Sequence, residues 1–197
     1  MPTSCCCYTT DCGYLFPTLL SAKQMRDNVP ISLADVQVIY FGAHNSLVYA
    51  ADIFCKTNDI KFINVPPSIL NGNPMLCARF FISKILSKSY KNILYLDGDT
   101  QIAGSVAPLL NYEISDETIL AAHDPMALKI KSASGDWKKR RQYFNSIGID
   151  SIGQDNYFNS GVMGFKANDW EAVSKESLIL YRKNKDRFLF ADQDTLN

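Results

Sequence analysis

An α/β fold, built on a mixed, mainly parallel sheet flanked by helices, is what this sequence predicts, and three observations predict it. Strand-like and helix-like patterns alternate through the first half of the chain. An apolar run, Ile93-Leu94-Tyr95-Leu96, ends abruptly in Asp97-Gly98-Asp99. Four further polar clusters fall near the ends of other expected elements: Thr9-Thr10-Asp11, His123-Asp124, Asn159-Ser160-Gly161 and Asp192-Gln193-Asp194. In an open α/β sheet the carboxyl ends of the strands form one crevice, which is where ligands bind.

Each element has a local reason. Residues 5–10 read as the first strand. Residues 14–26 carry Leu15, Leu19, Ala22 and Met25 at helical spacing. Residues 36–41 are a second strand, and residues 44–56 a helix with Leu47, Val48, Ala51 and Phe54 or Cys55 on one face. Residues 60–65 form a third strand, stopped by Pro66-Pro67. Residues 75–86 read as an α-helix, and residues 92–96 as the strand before the acid pair. The second half is less regular. It suggests a strand at 118–122, a polar helix at 136–146 and a strand at 157–165 broken by Gly161 and Gly164. A helix capped by Asn168 or Asp169 then runs to about residue 183. Residues 192–197 look like the first turn of another helix, with nothing after it to pack against. The chain therefore reads either as a fragment or as one shortened at its C-terminus relative to its relatives.

A length of 197 residues suits a single domain spanning 1–197, and a composition that is 47% hydrophobic and 20% charged can bury a core. The formal net charge of zero argues against a nucleic-acid partner. The short run Lys138-Lys139-Arg140-Arg141 reads as a solvated helix face, although an anionic membrane or acceptor could also meet it. No apolar run is long enough to span a bilayer, and the first residues lack the basic region of a signal peptide. These features point to a cytoplasmic protein with at most a peripheral membrane association. Cys5, Cys6 and Cys7 read as small core residues. On a strand, adjacent side chains point to opposite faces and cannot share one ion.

Two carboxylates one residue apart repel each other unless a cation lies between them. An all-carboxylate pair suits a hard ion such as Mn²⁺ or Mg²⁺, which commonly carries substrate phosphates as well. A polar turn after a strand would use the same residues. The other polar residues have equally plain structural uses. Asp11 could cap the next helix, Tyr14 could be core, Arg79 could lie on a helix surface, Asp124 before Pro125 could form a turn, and Asn159 could satisfy backbone groups.

Five segments in order carry a resemblance that spans nearly the whole chain. They are Tyr8-Thr9-Thr10-Asp11, Ala78-Arg79-Phe80, Leu94-Tyr95-Leu96-Asp97-Gly98-Asp99, Tyr157-Phe158-Asn159-Ser160-Gly161-Val162 and Asp192-Gln193-Asp194-Thr195-Leu196-Asn197. Together they resemble glycosyltransferase family 8, the retaining galactosyl- and glucosyltransferases of GT-A fold. The resemblance implies Mn²⁺ (or Mg²⁺) on Asp97 and Asp99, and a UDP-sugar donor. It implies nucleoside contacts from Thr9, Asp11 and Tyr14, and diphosphate or sugar contacts from Arg79. Asp124, Asn159, Asp192 and Gln193 would bind the donor hydroxyls, with Gln193 close to the anomeric carbon. Since an amide is a poor nucleophile, stabilisation and positioning suit Gln193 better than covalent attack. The acceptor implied is a hydroxyl of a glycan or of a lipid-linked sugar.

Three departures stand out. Gly13 replaces a common Asn in the nucleotide loop, and Cys77 stands where a larger polar residue is usual. The family's late His-x-x-Gly-x-x-Lys-Pro-Trp segment, which supplies a third metal ligand, has no counterpart, and His44 and His123 do not match it. Two other readings use the same residues. One is a UDP-sugar-binding module without turnover. The other is a haloacid-dehalogenase-like phosphatase, whose motif Asp97-Gly98-Asp99-Thr100-Gln101 misses at its last position.

Overall fold

The computed structural model describes residues 2–197. Its strands are ordered β3-β2-β1-β4-β6-β5. They are β1 (Ser4–Thr10), β2 (Asp35–Phe41), β3 (Lys61–Val65), β4 (Asn92–Leu96), β5 (Leu120–His123) and β6 (Phe158–Lys166). β1 pairs in parallel with both β2 and β4, β2 pairs in parallel with β3, and β6 runs antiparallel to β4. The sheet is therefore mixed and mainly parallel, as the alternation of patterns predicts. The chain groups into two compact units, residues 1–120 with 161–174, and residues 121–160 with 175–197.

In the first unit, α1 (Leu15–Asn28) and α2 (Ser46–Thr57) are the crossovers between the parallel strands. Cys6, Tyr8, Leu94 and Leu96 of the two central strands share one core with Ala22 and Met25 of α1. Because side chains alternate along a strand, these residues leave Cys5, Cys7, Tyr95 and Thr9 on the opposite face. Cys5, Cys6 and Cys7 are all fully buried and reduced, as a packing role requires. Burial pushes the Cys6 thiol up to about 12.

Several expectations change. Residues 75–84 form a 3₁₀ helix (Met75–Lys84), not an α-helix. Six consecutive residues there, 77–82, are buried, so no solvent face exists to give an α-period. The Arg79 carbonyl accepts from the Trp170 indole at 2.9 Å, which draws it away from an ordinary i→i+4 bond. β6 runs unbroken through Gly161 and Gly164. On α2, Val48, Ala51 and Cys55 are buried, whereas Leu47 and Phe54 are exposed. With Phe16 and Leu20 of α1, these two side chains line a solvent-open apolar groove of about 300 Å³. α2 begins at Ser46, where the Asn45 side chain accepts from the Val48 amide at 3.0 Å.

The second unit holds a smaller core of Met126, Ala127, Ile130, Phe144 and Tyr157. It contains α4 (Pro125–Lys131), α5 (Trp137–Ile147), α6 (Ser151–Asn156) and α8 (Ala191–Leu196). The short α3 (Ala107–Leu110) belongs to the first unit, and α7 (Ala167–Asn184) runs on from β6. Lys138 and Arg141 of the basic run lie over the Trp137 ring, each 5.7 Å from its centre. Among the described residues, no helix is long and apolar enough to cross a membrane.

Candidate active site

The strand order turns back between β1 and β4, so the carboxyl ends of these two strands flank a topological switch point. The pairing Tyr8↔Leu96 carries Thr9 alongside Asp97 at the next step. The pleat then sets Thr9, Tyr95 and Asp97 on one face. A pocket of about 340 Å³ opens there, lined by Thr9, Asp11, Tyr14, Arg79, Asp97 and Asp99 among others. All six residues predicted for the nucleotide and metal therefore meet in one place.

Each is held by a definite partner. Asp97 Oδ1 accepts from Arg79 Nη2 at 2.9 Å and from the Tyr95 phenol at 3.0 Å. The same phenol lies 3.0 Å from Thr9 Oγ1. The Arg79 guanidinium stacks 4.7 Å from the centre of the Tyr95 ring. Arg79 is buried, so it is not a helix-surface arginine. Burial, with the Asp97 charge beside it, pushes the Tyr95 phenol well above its ordinary range, so it keeps its proton. Asp11 Oδ1 accepts from the amides of Gly13 and Tyr14, at 2.9 and 3.3 Å, and so fixes the loop that leads into α1. Tyr14 is 59% exposed, which rules out a core role and leaves its ring available to a ligand.

Gly98 has a steric reason to be glycine. A Cβ there would lie 2.0 Å from Thr18 Oγ1 of α1. That hydroxyl is itself tied to the Tyr14 carbonyl at 2.7 Å and to Thr10 Oγ1 at 3.1 Å. The acid pair thus rests directly on α1.

The donor set suits a hard divalent ion. Asp97 has one oxygen clamped and a half-exposed carboxylate on the pocket wall, and Asp99 lines the same pocket. Among the described residues, no group of three or more His, Cys, Asp or Glu is placed to hold a metal. His44 and His123 are both exposed and form no such group with the acid pair. Two carboxylates leave most of a six-coordinate shell to water and to phosphate oxygens, which is the usual arrangement for Mg²⁺-type ions on nucleotides.

In the second unit the four residues predicted for donor hydroxyls also come together. Asp124 caps α4 by accepting from the Met126 amide at 2.7 Å. Its Oδ2 accepts from Gln193 Nε2 at 3.1 Å and from Asn159 Nδ2 at 3.5 Å. Gln193 Oε1 accepts from the Ser160 amide at 3.1 Å, and Asp192 Oδ2 accepts from Ser160 Oγ at 3.3 Å. Gln193 is thereby held at both ends, with its oxygen toward a donor and its nitrogen toward a carboxylate.

Sequence reasoning missed two residues. Tyr95 looked like part of a plain apolar run, and only the strand register gives its hydroxyl a role. Asp194 is 3% exposed and accepts from the Tyr143 phenol at 2.5 Å, the Tyr157 phenol at 2.6 Å and the Phe190 amide at 2.7 Å. Burial and the Asp194 carboxylate push both phenols upward. The signal for Asp194 was its place in the Asp192-Gln193-Asp194 cluster.

Comparison with known proteins fits this geometry. The profile of the family described as Glycosyl transferase family 8 matches residues 5–197. The chain belongs to that family. It is 27% identical over 135 residues to the lipopolysaccharide glucosyltransferase WaaO of Escherichia coli (strain K12), covering 66% of this chain and 37% of that protein. It is 27% identical over 153 residues to the lipopolysaccharide 1,3-galactosyltransferase of Salmonella typhimurium (strain LT2), covering 76% and 42% respectively. The chain thus spans about two fifths of the length of these curated relatives. Its fold matches that of the galactosyltransferase LgtC, crystallised with donor and acceptor sugar analogues. The TM-score is 0.74 at 23% identity, over 98% of this chain and 69% of the other. The architecture is the GT-A fold.

Proposed function

We propose that this chain is the donor-binding core of a retaining hexosyltransferase. It moves galactose or glucose from a UDP-sugar to a hydroxyl of a glycan or lipid-linked acceptor, with Mn²⁺ or Mg²⁺ as cofactor. The observation that carries the proposal is the pocket at the β1/β4 switch point, where Asp97 and Asp99 stand with Thr9, Asp11, Tyr14 and Arg79. The glucosyl- and galactosyltransferase names of the two lipopolysaccharide relatives support the hexose class.

The residues divide the work. Asp97 and Asp99 hold the cation, whose charge, when bound, stabilises the leaving nucleoside diphosphate. Arg79 adds a fixed positive charge beside that diphosphate. Tyr14 offers a ring to the base, and Asp11 and Thr9 offer oxygens to nucleoside donors. Asp124, Asn159, Asp192 and Gln193 bind the hydroxyls of the donor sugar. The Gln193 oxygen already accepts a backbone N–H, which reduces its nucleophilicity and favours a positioning role beside the anomeric carbon. Front-face attack by the acceptor hydroxyl then needs no covalent intermediate. The setting we infer is cytoplasmic, with peripheral access to a membrane-borne acceptor.

A second reading, a module that binds UDP-sugar without turnover, is favoured by the two-carboxylate donor set alone. Calorimetric titration of UDP with and without Mn²⁺, on the native chain and on Asp97→Asn/Asp99→Asn, tests the site shared by both readings. Binding that depends on Mn²⁺ and is lost in the double variant is expected. Mn²⁺-independent binding that survives in the double variant would remove the metal from the proposal. Hydrolysis of UDP-glucose and UDP-galactose then separates enzyme from module.

A further inference from the structure

The hydrogen bonds around Asp97 can be assigned a direction, and the direction has a consequence. A carboxylate paired with arginine can only accept, and a phenol carries one proton at neutral pH. That proton therefore goes from Tyr95 to Asp97 Oδ1, 3.0 Å away. The contact between Thr9 and Tyr95, also 3.0 Å, must then run from the threonine hydroxyl to the phenol oxygen. Thr9 has spent its only proton inward, and on the pocket side it has lone pairs alone. Asp97 has one oxygen clamped by two donors, Arg79 at 2.9 Å and Tyr95, so its other oxygen is the one left for a cation.

The geometry points to Tyr95 as a positioning residue that couples the two halves of the nucleotide site, orienting the metal-binding carboxylate of Asp97 and turning Thr9 into an acceptor for a nucleoside N–H or hydroxyl. Tyr95 is among the residues that line the pocket, yet it is only 2% exposed. It acts through its buried hydroxyl, while its ring is fixed by the core and by Arg79. This inference rests on the UDP–metal reading of the pocket.

The test is the ratio of UDP dissociation constants in EDTA and in Mn²⁺, measured by calorimetry on the full chain, on Tyr95→Phe and on Thr9→Val. Tyr95→Phe keeps the ring and removes the hydroxyl. Loss of one hydrogen bond to a charged group corresponds to a fall in that ratio of about tenfold. Thr9→Val frees the phenol from its inward donor, so its ratio should fall as well, by about threefold for a neutral hydrogen bond. A merely structural tyrosine would lower the melting temperature and weaken binding equally with and without Mn²⁺, leaving the ratio unchanged. An unchanged ratio in both variants overturns the coupling. If Tyr95→Phe fails to fold, Thr9→Val decides alone. Absence of any Mn²⁺-dependent binding in the native chain would instead bring down the nucleotide–metal reading itself, and this inference with it.

Discussion

At the scale of single residues, Gly98 shows how a short motif is set by its surroundings. Between two acids, glycine would be expected merely as a turn former. Here the requirement is space, because Thr18 Oγ1 occupies the position where a Cβ would be. Gly98→Ala should cost about 1–3 kcal/mol by overpacking, read from urea unfolding. Thr18→Ala should itself be mildly destabilising, since it loses two hydrogen bonds. The pair should be non-additive, with the alanine at 98 costing much less once the hydroxyl is gone. Full additivity would mean that the clash is relieved elsewhere. Thr18 is fully buried and polar, so the apolar stripe of Leu15, Leu19, Ala22 and Met25 along α1 does not reveal it.

At the scale of elements, α8 is a helix of six residues and could not persist by helix propensity alone. Its anchor is Asp194, which gathers two phenols and the Phe190 amide around one buried carboxylate. Gln193 and Asp192 precede it on the same turn, so this anchor also sets the donor-sugar residues. Asp194→Asn would turn an amide N–H toward groups that are themselves donors. A loss of about 2 kcal/mol is expected, seen as faster hydrogen exchange of the α8 amides by at least tenfold. Exchange at the native rate would show that other contacts hold α8. The short helices α3, α4 and α6 went unpredicted because fewer than two turns give no periodicity to detect. The start of α4 was nevertheless written in Asp124-Pro125, a capping residue followed by proline at the first helical position.

At the scale of the whole molecule, pH dependence offers a direct reading of one sheet edge. Asp35 opens β2 and pairs with Lys61 of β3 at 2.5 Å, and the Tyr90 phenol donates to the same oxygen. Burial acts to raise the Asp35 pKa. The hydrogen bonds from Lys61 and Tyr90, with the positive charges of Lys61 and Arg26, outweigh it and hold the carboxyl below its ordinary range. A native pKa below the unfolded value means stability that is present above the ordinary aspartate value of about 4 and is lost as pH falls through the native value. Melting temperatures from pH 7 down to 3 should therefore decline at the acid end. Asp35→Asn should melt lower at pH 7 and show a shallower acid decline. Parallel curves for the two proteins would remove Asp35 from the acid response.

The parallel β-α start and the acid pair at a strand end are written in the sequence itself, while the candidate donor-binding residues are what its family resemblance implies. Those signals are local, since period, turn chemistry and motif spacing are all carried by near neighbours along the chain. Tertiary structure alone decided what lies across from what. It put Thr9 beside Asp97 through strand register, and it buried Arg79 in a 3₁₀ segment whose carbonyl is taken by Trp170. It gave Tyr95 a hydroxyl with two partners, and it left Leu47 and Phe54 in solvent despite their helical spacing. Periodicity tells which side chains share a face of an element. Which face is covered, and by which groups, follows only from the packing of distant segments.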